Sequence, residues 1–261
     1  MKPVWGLGIS GEEQFSLLPS TLPEEFSFFE VPGEMLESPG LRAKLNVHLS
    51  KFRKALLIRD IVPADLADAA PLFPLHLKFE FDRKFRSNCE SASRLGCHFI
   101  SAEFNLVRAF SNANYRKKLF DLLRSVAGIL DEFKMIMLLP VHFPSDGCGE
   151  SFSEFVKFKK ELFYPGFRFM LNCRYHEDGV DNMLDKVATE LSFERTFWRL
   201  SCMPEQETFL ELDVLEKMRP VWECIPGDTP AFICLEPGRT VPDQILINSL
   251  SRMLKKYQAH Q

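Results

Sequence analysis

The sequence lacks any apolar run long enough to cross a membrane. Its longest apolar stretch, MIMLLPV at 135–141, is far shorter than the about 20 residues that a transmembrane helix needs. The opening residues, MKPVWGLGISGEEQ, contain no sustained apolar segment, so no secretory signal is expected. With 46% hydrophobic residues, the 261-residue chain has enough apolar material for a globular core, and we expect no membrane partner.

The sequence also lacks a disulfide framework and a cysteine or histidine metal motif. Its seven cysteines, an odd number, include no C-x-x-C pair, which favours reduced thiols and a cytoplasmic protein. His98, His142 and His176 have no histidine four residues further on, the spacing of zinc ligands on a helix.

Positive charge is not in excess. The net charge is −4 and the isoelectric point is near 5.9. Because binding to a phosphate backbone requires a basic surface, this charge argues against nucleic acid as the main partner.

Eight short apolar runs are present, and most of them are continuous rather than alternating. Continuous runs are typical of parallel strands that are covered on both faces. The runs are VWGLGI (4–9), FSFFEV (26–31), KALLIRDI (54–61), CHFISAEF (97–104), KMIMLLPV (134–141), FRFMLNC (167–173), FWRLSC (197–202) and AFICLE (231–236).

Amphipathic segments separate several of these runs. Residues 114–133 place leucine, isoleucine and valine on one face of a helix, and residues 181–191 and 241–257 have the same spacing. Residues 151–163 can begin on a Ser151 cap. Strands that alternate with helices over this length predict a single (β/α)8 barrel domain spanning 1–261.

Two segments fit the barrel pattern less well. Pro19 and Pro23 restrict the first helix to about two turns. The segment LHLKFEFD (75–82) alternates like a strand, which predicts an extra strand or hairpin before the fourth barrel strand.

A weak dinucleotide-binding pattern occurs near the N-terminus. GLGISG (6–11) matches G-x-G-x-x-G, and Glu30 follows about 20 residues later. The short helix leaves little room for the motif, and Glu12 and Glu13 would repel a pyrophosphate. A nicotinamide-dependent oxidoreductase is therefore the weakest of the alternatives, and a tight turn of small residues explains the pattern as well.

Chemistry in an α/β barrel occurs at the carboxyl ends of the strands, so the polar residues there are the candidates for a site. They come from distant parts of the sequence but would surround one mouth. They are Ser10, Glu30, Arg59 with Asp60, Glu103, His142, Asn172 with Arg174 and His176, Ser201 and Glu236.

Four motifs occur in an order that resembles the xylose isomerase-like barrels. They are FFEVP (28–32), IRDIVPADL (58–66), ESASRLGCHFISAEF (90–104) and ICLEPG (233–238). This family contains sugar and sugar-phosphate isomerases and epimerases and is related in fold to metal-dependent AP endonucleases. The resemblance implies a small-molecule sugar or sugar phosphate as the partner.

The resemblance also implies a divalent metal held by Glu, Asp, His and Glu at the ends of strands five to eight. This sequence departs from that set, with Leu139 at the strand-five position, Asn172 at strand six and Ser201 at strand seven. Only Glu236 matches, so a Mn²⁺, Mg²⁺ or Zn²⁺ site is disfavoured, because a dication needs charged ligands to compensate its desolvation.

The resemblance leaves two main functions open. The first is a metal-independent sugar isomerase or epimerase with Glu236 and Glu103 as acid and base, and with His142 or His176 carrying a proton. Its substrate-binding residues would be Glu30, Arg59, Asn172 and Arg174. The second is a non-catalytic barrel that binds a ligand or a partner at the same mouth, and the oligomeric state is open in both.

Overall fold

Eight parallel strands close into one barrel in the computed structural model of the protein. The (β/α)8 fold predicted from the sequence is therefore confirmed, and each of the eight apolar runs contains a strand. The strands are β1 (Val4–Gly8), β2 (Phe26–Pro32), β3 (Ala55–Arg59), β4 (Phe99–Ser101), β5 (Ile136–His142), β6 (Phe167–Arg174), β7 (Phe197–Ser201) and β8 (Phe232–Glu236). The structure describes residues 4–9, 11–18, 22–52, 54–72, 75–142, 148–162, 164–174, 197–201, 232–236 and 244–259.

Helices connect or follow the strands on the outside of the barrel. In the described ranges they are α1 (Glu12–Leu17), α2 (Pro39–Phe52), α3 (Ala64–Ala69), α4 (Leu75–Arg94), α5 (Leu106–Ser111), α6 (Ala113–Phe133), α7 (Cys148–Glu161) and α8 (Gln244–Ala259), with a 3-10 turn at Gly33–Leu36. The predicted helices at 114–133 and 241–257 correspond to α6 and α8, and the six-residue α1 has the predicted short length. The predicted helix at 181–191 lies outside the described residues. None of the helices described is both long enough and apolar enough to span a bilayer.

A side chain caps one end of the longest helix described, and a left-handed residue ends the other. The Asn112 side chain accepts a hydrogen bond from the Tyr115 backbone N–H at the start of α6. The helix ends at Lys134, which adopts the left-handed conformation common at helix C-termini. Between these ends α6 buries an apolar face that includes Leu119, Leu123 and Leu130 against the barrel.

Two local predictions were wrong. Residues 75–82 form the first turns of α4, not a strand, because the segment continues into a 20-residue helix that buries Phe81 and Phe85 and leaves Phe79 68% exposed. The eight-residue window alternates by coincidence, and only the longer stretch reveals the helical period. Ser151 is not a helix cap, because α7 begins at Cys148.

The barrel strands present different residues to their two sides. One large cluster lies between the strands and the helices, and it includes Leu139 of β5. A second, smaller cluster fills the barrel interior and includes Leu57, Leu138 and Met170. Both faces of each strand are therefore apolar over part of their length, which explains the continuous runs in the sequence.

Four phenylalanines close the amino-terminal half of the barrel interior. The Phe197 and Phe232 rings stack with centroids 4.8 Å apart, and Phe99 lies 5.0 Å from Phe197 and 5.8 Å from Phe232. Phe28 lies 6.4 Å from Phe232. We call these four rings the phenylalanine plug, and they form an apolar base for whatever lies above them.

The closure of β1 onto β8 leads to a first prediction. Because the two ends of the chain pair in one barrel, we expect thermal unfolding to proceed in a single cooperative transition. Circular dichroism at 222 nm and tryptophan fluorescence should give the same midpoint. Two separable transitions would contradict a single domain over 1–261.

Candidate active site at the barrel mouth

The barrel interior changes from apolar to polar two residues beyond the phenylalanine plug, towards the carboxyl ends of the strands. The residues two positions beyond Phe28, Phe99, Phe197 and Phe232 on the same strands are Glu30, Ser101, Arg199 and Cys234. Since side chains on a strand alternate, these residues face the same interior about 7 Å nearer the carboxyl ends. Arg59 follows Leu57 and Asn172 follows Met170 in the same way. We call Glu30, Arg59, Ser101, Asn172, Arg199 and Cys234 the polar layer.

A buried ion pair crosses the polar layer. Glu30 is fully buried and Arg199 is 5% exposed. Arg199 Nε donates to Glu30 Oε2 at 3.0 Å, and Arg199 Nη2 donates to Glu30 Oε1 in a second contact. Because β2 and β7 are separated by β1 and β8, this bidentate pair ties opposite parts of the barrel through its interior.

The surroundings of Glu30 keep its carboxyl ionised. Burial alone raises the pKa of Glu30, but the charge and hydrogen bonds of Arg199 lower it, as do the Cys234 thiol donor and the charge of Arg59. The net direction is a lowered pKa, since two charge-assisted bonds act on a fully buried group.

Arg199 is the central residue that sequence reasoning missed. It lies two residues before the end of β7, and the search for strand-end groups selected Ser201 instead. An arginine inside an apolar run, FWRLS, was the available signal, because a charged residue is almost never fully buried without a partner.

Asp60 follows β3 with an unusual backbone conformation. Its φ angle is +50°, in the left-handed region. A Cβ atom added to Gly33 would lie 2.3 Å from the Asp60 carbonyl oxygen, so the two backbones pass in close contact. The next residue is fixed as well, because Ile61 N–H donates to the Ser101 carbonyl at 2.8 Å and Asn88 Nδ2 donates to the Ile61 carbonyl at 2.6 Å.

Both signs of charge surround the Asp60 carboxyl. Burial is the largest influence and raises the pKa of Asp60, and the negative charges of Glu103 and Glu30 raise it further. The positive charges of Arg199 and Arg59 act in the opposite direction without reversing the shift.

A groove of about 430 Å³ opens beside Glu103, between the start of α3 and the segment that follows β4. Its lining residues include Asp65, Asp68 and Pro140. Tyr115 Oη donates to Asp68 Oδ1 at 3.2 Å, which fixes one wall. The groove is large enough for a small polar molecule.

The structure brings several predicted site residues together. Glu30, Arg59 and Asn172 belong to the polar layer, and Glu103 lies between it and the groove. The roles assigned to them stay predictions.

Other predicted residues are described only through their backbones. His142, Arg174, Ser201 and Glu236 end four adjacent strands, with His142 level with Asn172 and Glu236 level with Ser201. Ser10 and His176 lie outside the described residues.

Two sequence interpretations change. Leu139 does not line the mouth, because it is buried in the cluster between barrel and helices, and the interior positions of β5 belong to its neighbours. Gly6 of the dinucleotide-like pattern makes room for the plug, since a Cβ there would lie 2.2 Å from the Phe28 ring. The Glu30 carboxylate is bonded to Arg199 through both of its oxygens.

The described residues do not form a metal-binding cluster. Among them, no group of three or more histidine, cysteine, aspartate or glutamate side chains has the arrangement needed for an ion. Both oxygens of Glu30 already accept hydrogen bonds from a permanent cation. The six residues of the polar layer, as the structure describes them, do not offer the charged ligands that a divalent metal needs.

Solved structures with the same fold cover nearly the whole chain. 3-Keto-D-glucoside 4-epimerase from E. coli has a TM-score of 0.62 at 12% identity, over 97% of this chain and 100% of that one. D-Allulose 3-epimerase from Methylomonas sp. has a TM-score of 0.63 at 13% identity, over 99% and 97%. A xylose isomerase domain protein from Planctomyces limnophilus has a TM-score of 0.61 at 15% identity, over 100% of both chains.

These similarities establish the fold alone. The predicted resemblance to the xylose isomerase-like barrels is confirmed at that level. No family model and no curated protein sequence matches the chain.

The Glu30–Arg199 pair gives a second prediction. Arg199→Met leaves a buried carboxylate without its guanidinium partner and should lower the free energy of unfolding by about 3–5 kcal/mol, whereas the double variant Glu30→Met/Arg199→Met should lose less. The control Arg94→Met breaks the exposed Arg94–Glu90 pair and should cost less than about 1 kcal/mol. Urea unfolding measures all three, and equal stability of Arg199→Met and Arg94→Met would contradict the assignment.

The same pair sets a pH dependence. Because folding lowers the pKa of Glu30 from its ordinary value of 4.5, the stability it contributes is fully present above that value. It is lost as the pH falls through the lower folded value. Glu30→Gln should be less stable than the wild type at pH 7, and this difference should shrink in acid.

The contact between Gly33 and Asp60 gives a further prediction. Gly33→Ala should lower the free energy of unfolding by about 1–3 kcal/mol, because its methyl group meets backbone that cannot rotate away. Gly128→Ala in α6 is a matched control with no atom within 4 Å of the new methyl group, and it should raise stability by up to about 1 kcal/mol. Thermal unfolding measures the stability of both variants. A Gly33→Ala variant as stable as the wild type would contradict the close contact between the Gly33 and Asp60 backbones.

Proposed function

We propose that this chain is a sugar isomerase/epimerase-like enzyme that acts without a divalent metal. The observation that carries the proposal is a fixed guanidinium in the polar layer with the carboxyl groups of Asp60 and Glu103 beside it, at the end where α/β barrels carry their active sites. Two of the similar structures are, by name, epimerases of carbohydrates, a 3-keto-D-glucoside 4-epimerase and a D-allulose 3-epimerase.

The proposed reaction is proton transfer next to a sugar carbonyl. Glu103 and Glu236 act as base and acid at carbon, and His142 or His176 relays a proton. Arg59, Asn172 and Arg174 bind substrate oxygens. Glu30 contributes through Arg199, whose guanidinium it holds in a fixed orientation.

The Glu30–Arg199 pair at the centre of the barrel favours a reaction without a metal. Arg199 is permanently ionised, nearly sealed from water and bonded to both oxygens of Glu30, so this carboxylate is not available to hold a metal ion. Hydrogen-bond donors in a water-poor site can stabilise the negative charge that develops on a carbonyl oxygen without a metal.

Small sugars are the proposed substrates, in neutral or phosphorylated form. The charged side chains in the layer and the groove include both guanidinium and carboxylate groups. Hydroxyl groups suit such a mixture, because each can donate to a carboxylate and accept from a guanidinium.

Hydrogen exchange in D₂O tests the function directly. We expect the protein to incorporate deuterium beside the carbonyl of at least one of D-allulose, D-fructose and D-tagatose, as followed by NMR. The exchange should survive EDTA, and added MnCl₂ should not raise it. Glu103→Gln should reduce the rate by at least about 100-fold, whereas the exposed control Glu90→Gln should match the wild type.

The contrary results point to different alternatives. If none of the three sugars exchanges but one of them raises the melting temperature, the barrel is a binding protein without this activity. Exchange that requires Mn²⁺ and is abolished by Glu236→Gln would show that a metal site exists and that the metal-free mechanism is wrong.

A further inference from the structure

Asp60 has a backbone conformation that its local structure does not explain. Within the described residues, the only other non-glycine residue with positive φ is Lys134, which ends helix α6, where this conformation is common. Asp60 instead lies at the end of strand β3, at the catalytic end of the barrel. Strained backbone of this kind persists only where surrounding contacts enforce it.

Three contacts enforce the conformation of Asp60. The Gly33 backbone passes against the Asp60 carbonyl, and both polar backbone groups of Ile61 are hydrogen-bonded, the N–H to Ser101 and the carbonyl to Asn88. Asn88 is a buried residue of α4, so a helix on the outside of the barrel holds this turn in place. The backbone at Asp60 is therefore held in place by the fold.

The Asp60 carboxyl is surrounded by charge on four elements of the barrel mouth. Arg199 acts on it from β7, Glu103 from the segment after β4, Arg59 from β3 and Glu30 from β2. These neighbours act through charge, and the described part of the chain makes no hydrogen bond to the carboxyl. The Arg199 guanidinium uses two of its donors on Glu30.

A second polar group at this end of the barrel is the Ser101 hydroxyl. The Ser101 hydroxyl is fully buried, belongs to the polar layer and has no hydrogen-bond partner among the described residues. A buried hydroxyl without a partner indicates a position for a ligand or water oxygen. Its backbone carbonyl accepts from Ile61, the residue after Asp60, which holds the backbones of the two segments side by side.

We propose that Asp60 is a catalytic carboxylic acid that donates a proton to the carbonyl oxygen of the substrate. This inference rests on the isomerase/epimerase function proposed above and supplies the electrophile that a metal-free reaction needs. Burial and the neighbouring carboxylates Glu103 and Glu30 favour the neutral form of Asp60, which alone can donate, and the raised pKa of Asp60 agrees with this.

The proposed step conserves protons and charge. Glu103 takes the proton from the carbon beside the carbonyl, and the electron pair of that C–H bond becomes the second bond of an enediol. The carbonyl π pair takes the Asp60 proton, which leaves Asp60 as a carboxylate beside Arg199 and Arg59. Return of one proton to carbon and of one from the new hydroxyl group to Asp60 completes epimerisation or isomerisation.

The test compares Asp60→Asn with Asp82→Asn in the same ketose exchange assay. Asparagine tolerates the left-handed backbone but has no proton to give. Asp82 is a suitable control because it is a partly buried aspartate on α4, outside the barrel, with a pKa that is also raised by burial. We expect kcat of Asp60→Asn to fall at least about 100-fold with KM changed less than about threefold, and Asp82→Asn to match the wild type.

The pH profile separates catalysis from a structural role. In the wild type, kcat should fall as the pH rises through the pKa of Asp60, and this alkaline limb should be absent from the residual activity of Asp60→Asn. An Asp60→Asn enzyme that keeps wild-type kcat and the alkaline limb overturns the inference and leaves the proposed function intact. A wild-type protein with no exchange overturns both.

Two further measurements apply if Asp60→Asn does not fold. Asp60→Gly removes the carboxyl and tolerates positive φ, so it should fold with the same loss of kcat. NMR of the wild type with ¹³C-labelled aspartate carboxyls should show a group that titrates above the ordinary value of 3.8 and persists in Asp82→Asn. The absence of such a group overturns the inference.

Discussion

The ion pair between Glu30 and Arg199 is the interaction on which the arrangement of the barrel mouth depends. It is buried and bidentate, and it joins strands that are not neighbours in the sheet. A buried pair of this kind adds little net stability compared with apolar packing, but removal of one partner is costly. Its contribution is therefore a fixed arrangement of charge, in which a permanent cation stands at a defined position in a water-poor interior.

The pair can exist because of the apolar base beneath it. Phe28, Phe197 and Phe232 lie two residues before Glu30, Arg199 and Cys234 on the same strands, so the plug excludes water from below while the strands carry the charges above. The alternation of each strand thus produces first a hydrophobic layer and then a polar one. Asp60 and Glu103 follow towards the open end, and Glu103 lines the groove there.

The architecture could be predicted from the sequence because each strand is recognisable by itself as a short apolar run. The eight apolar runs correspond to the eight strands, and the helical spacing of apolar residues in 114–133 corresponds to α6. The prediction failed at 75–82, where eight residues alternate by coincidence within a helix of twenty. A short window cannot separate the two periods when the apolar residues of a helix happen to fall on alternate positions.

The site could be predicted only in part, because a contact between side chains on distant strands is not visible in any short stretch of sequence. The search for strand-end groups found Glu30, Arg59 and Glu103, but it missed Arg199, which is 169 residues from its partner. The comparison with the family's metal ligands placed Leu139 at the strand-five position. In the structure Leu139 faces the helices, because neighbouring residues of a strand point to opposite sides and an alignment that is wrong by one residue selects the wrong side. The left-handed backbone of Asp60 results from contacts with Gly33 and with the segment that ends β4, which no local pattern contains.

The central claim is that a fixed guanidinium, and not a metal ion, provides the positive charge of this site. A crystal structure of the protein soaked with MnCl₂ and a ketose, with the anomalous signal of manganese recorded, tests it most directly. The account predicts an intact Glu30–Arg199 pair, sugar oxygens next to the polar layer, and no anomalous peak in the barrel mouth. A manganese ion bound by Glu236, with the sugar coordinated to it, would contradict the account.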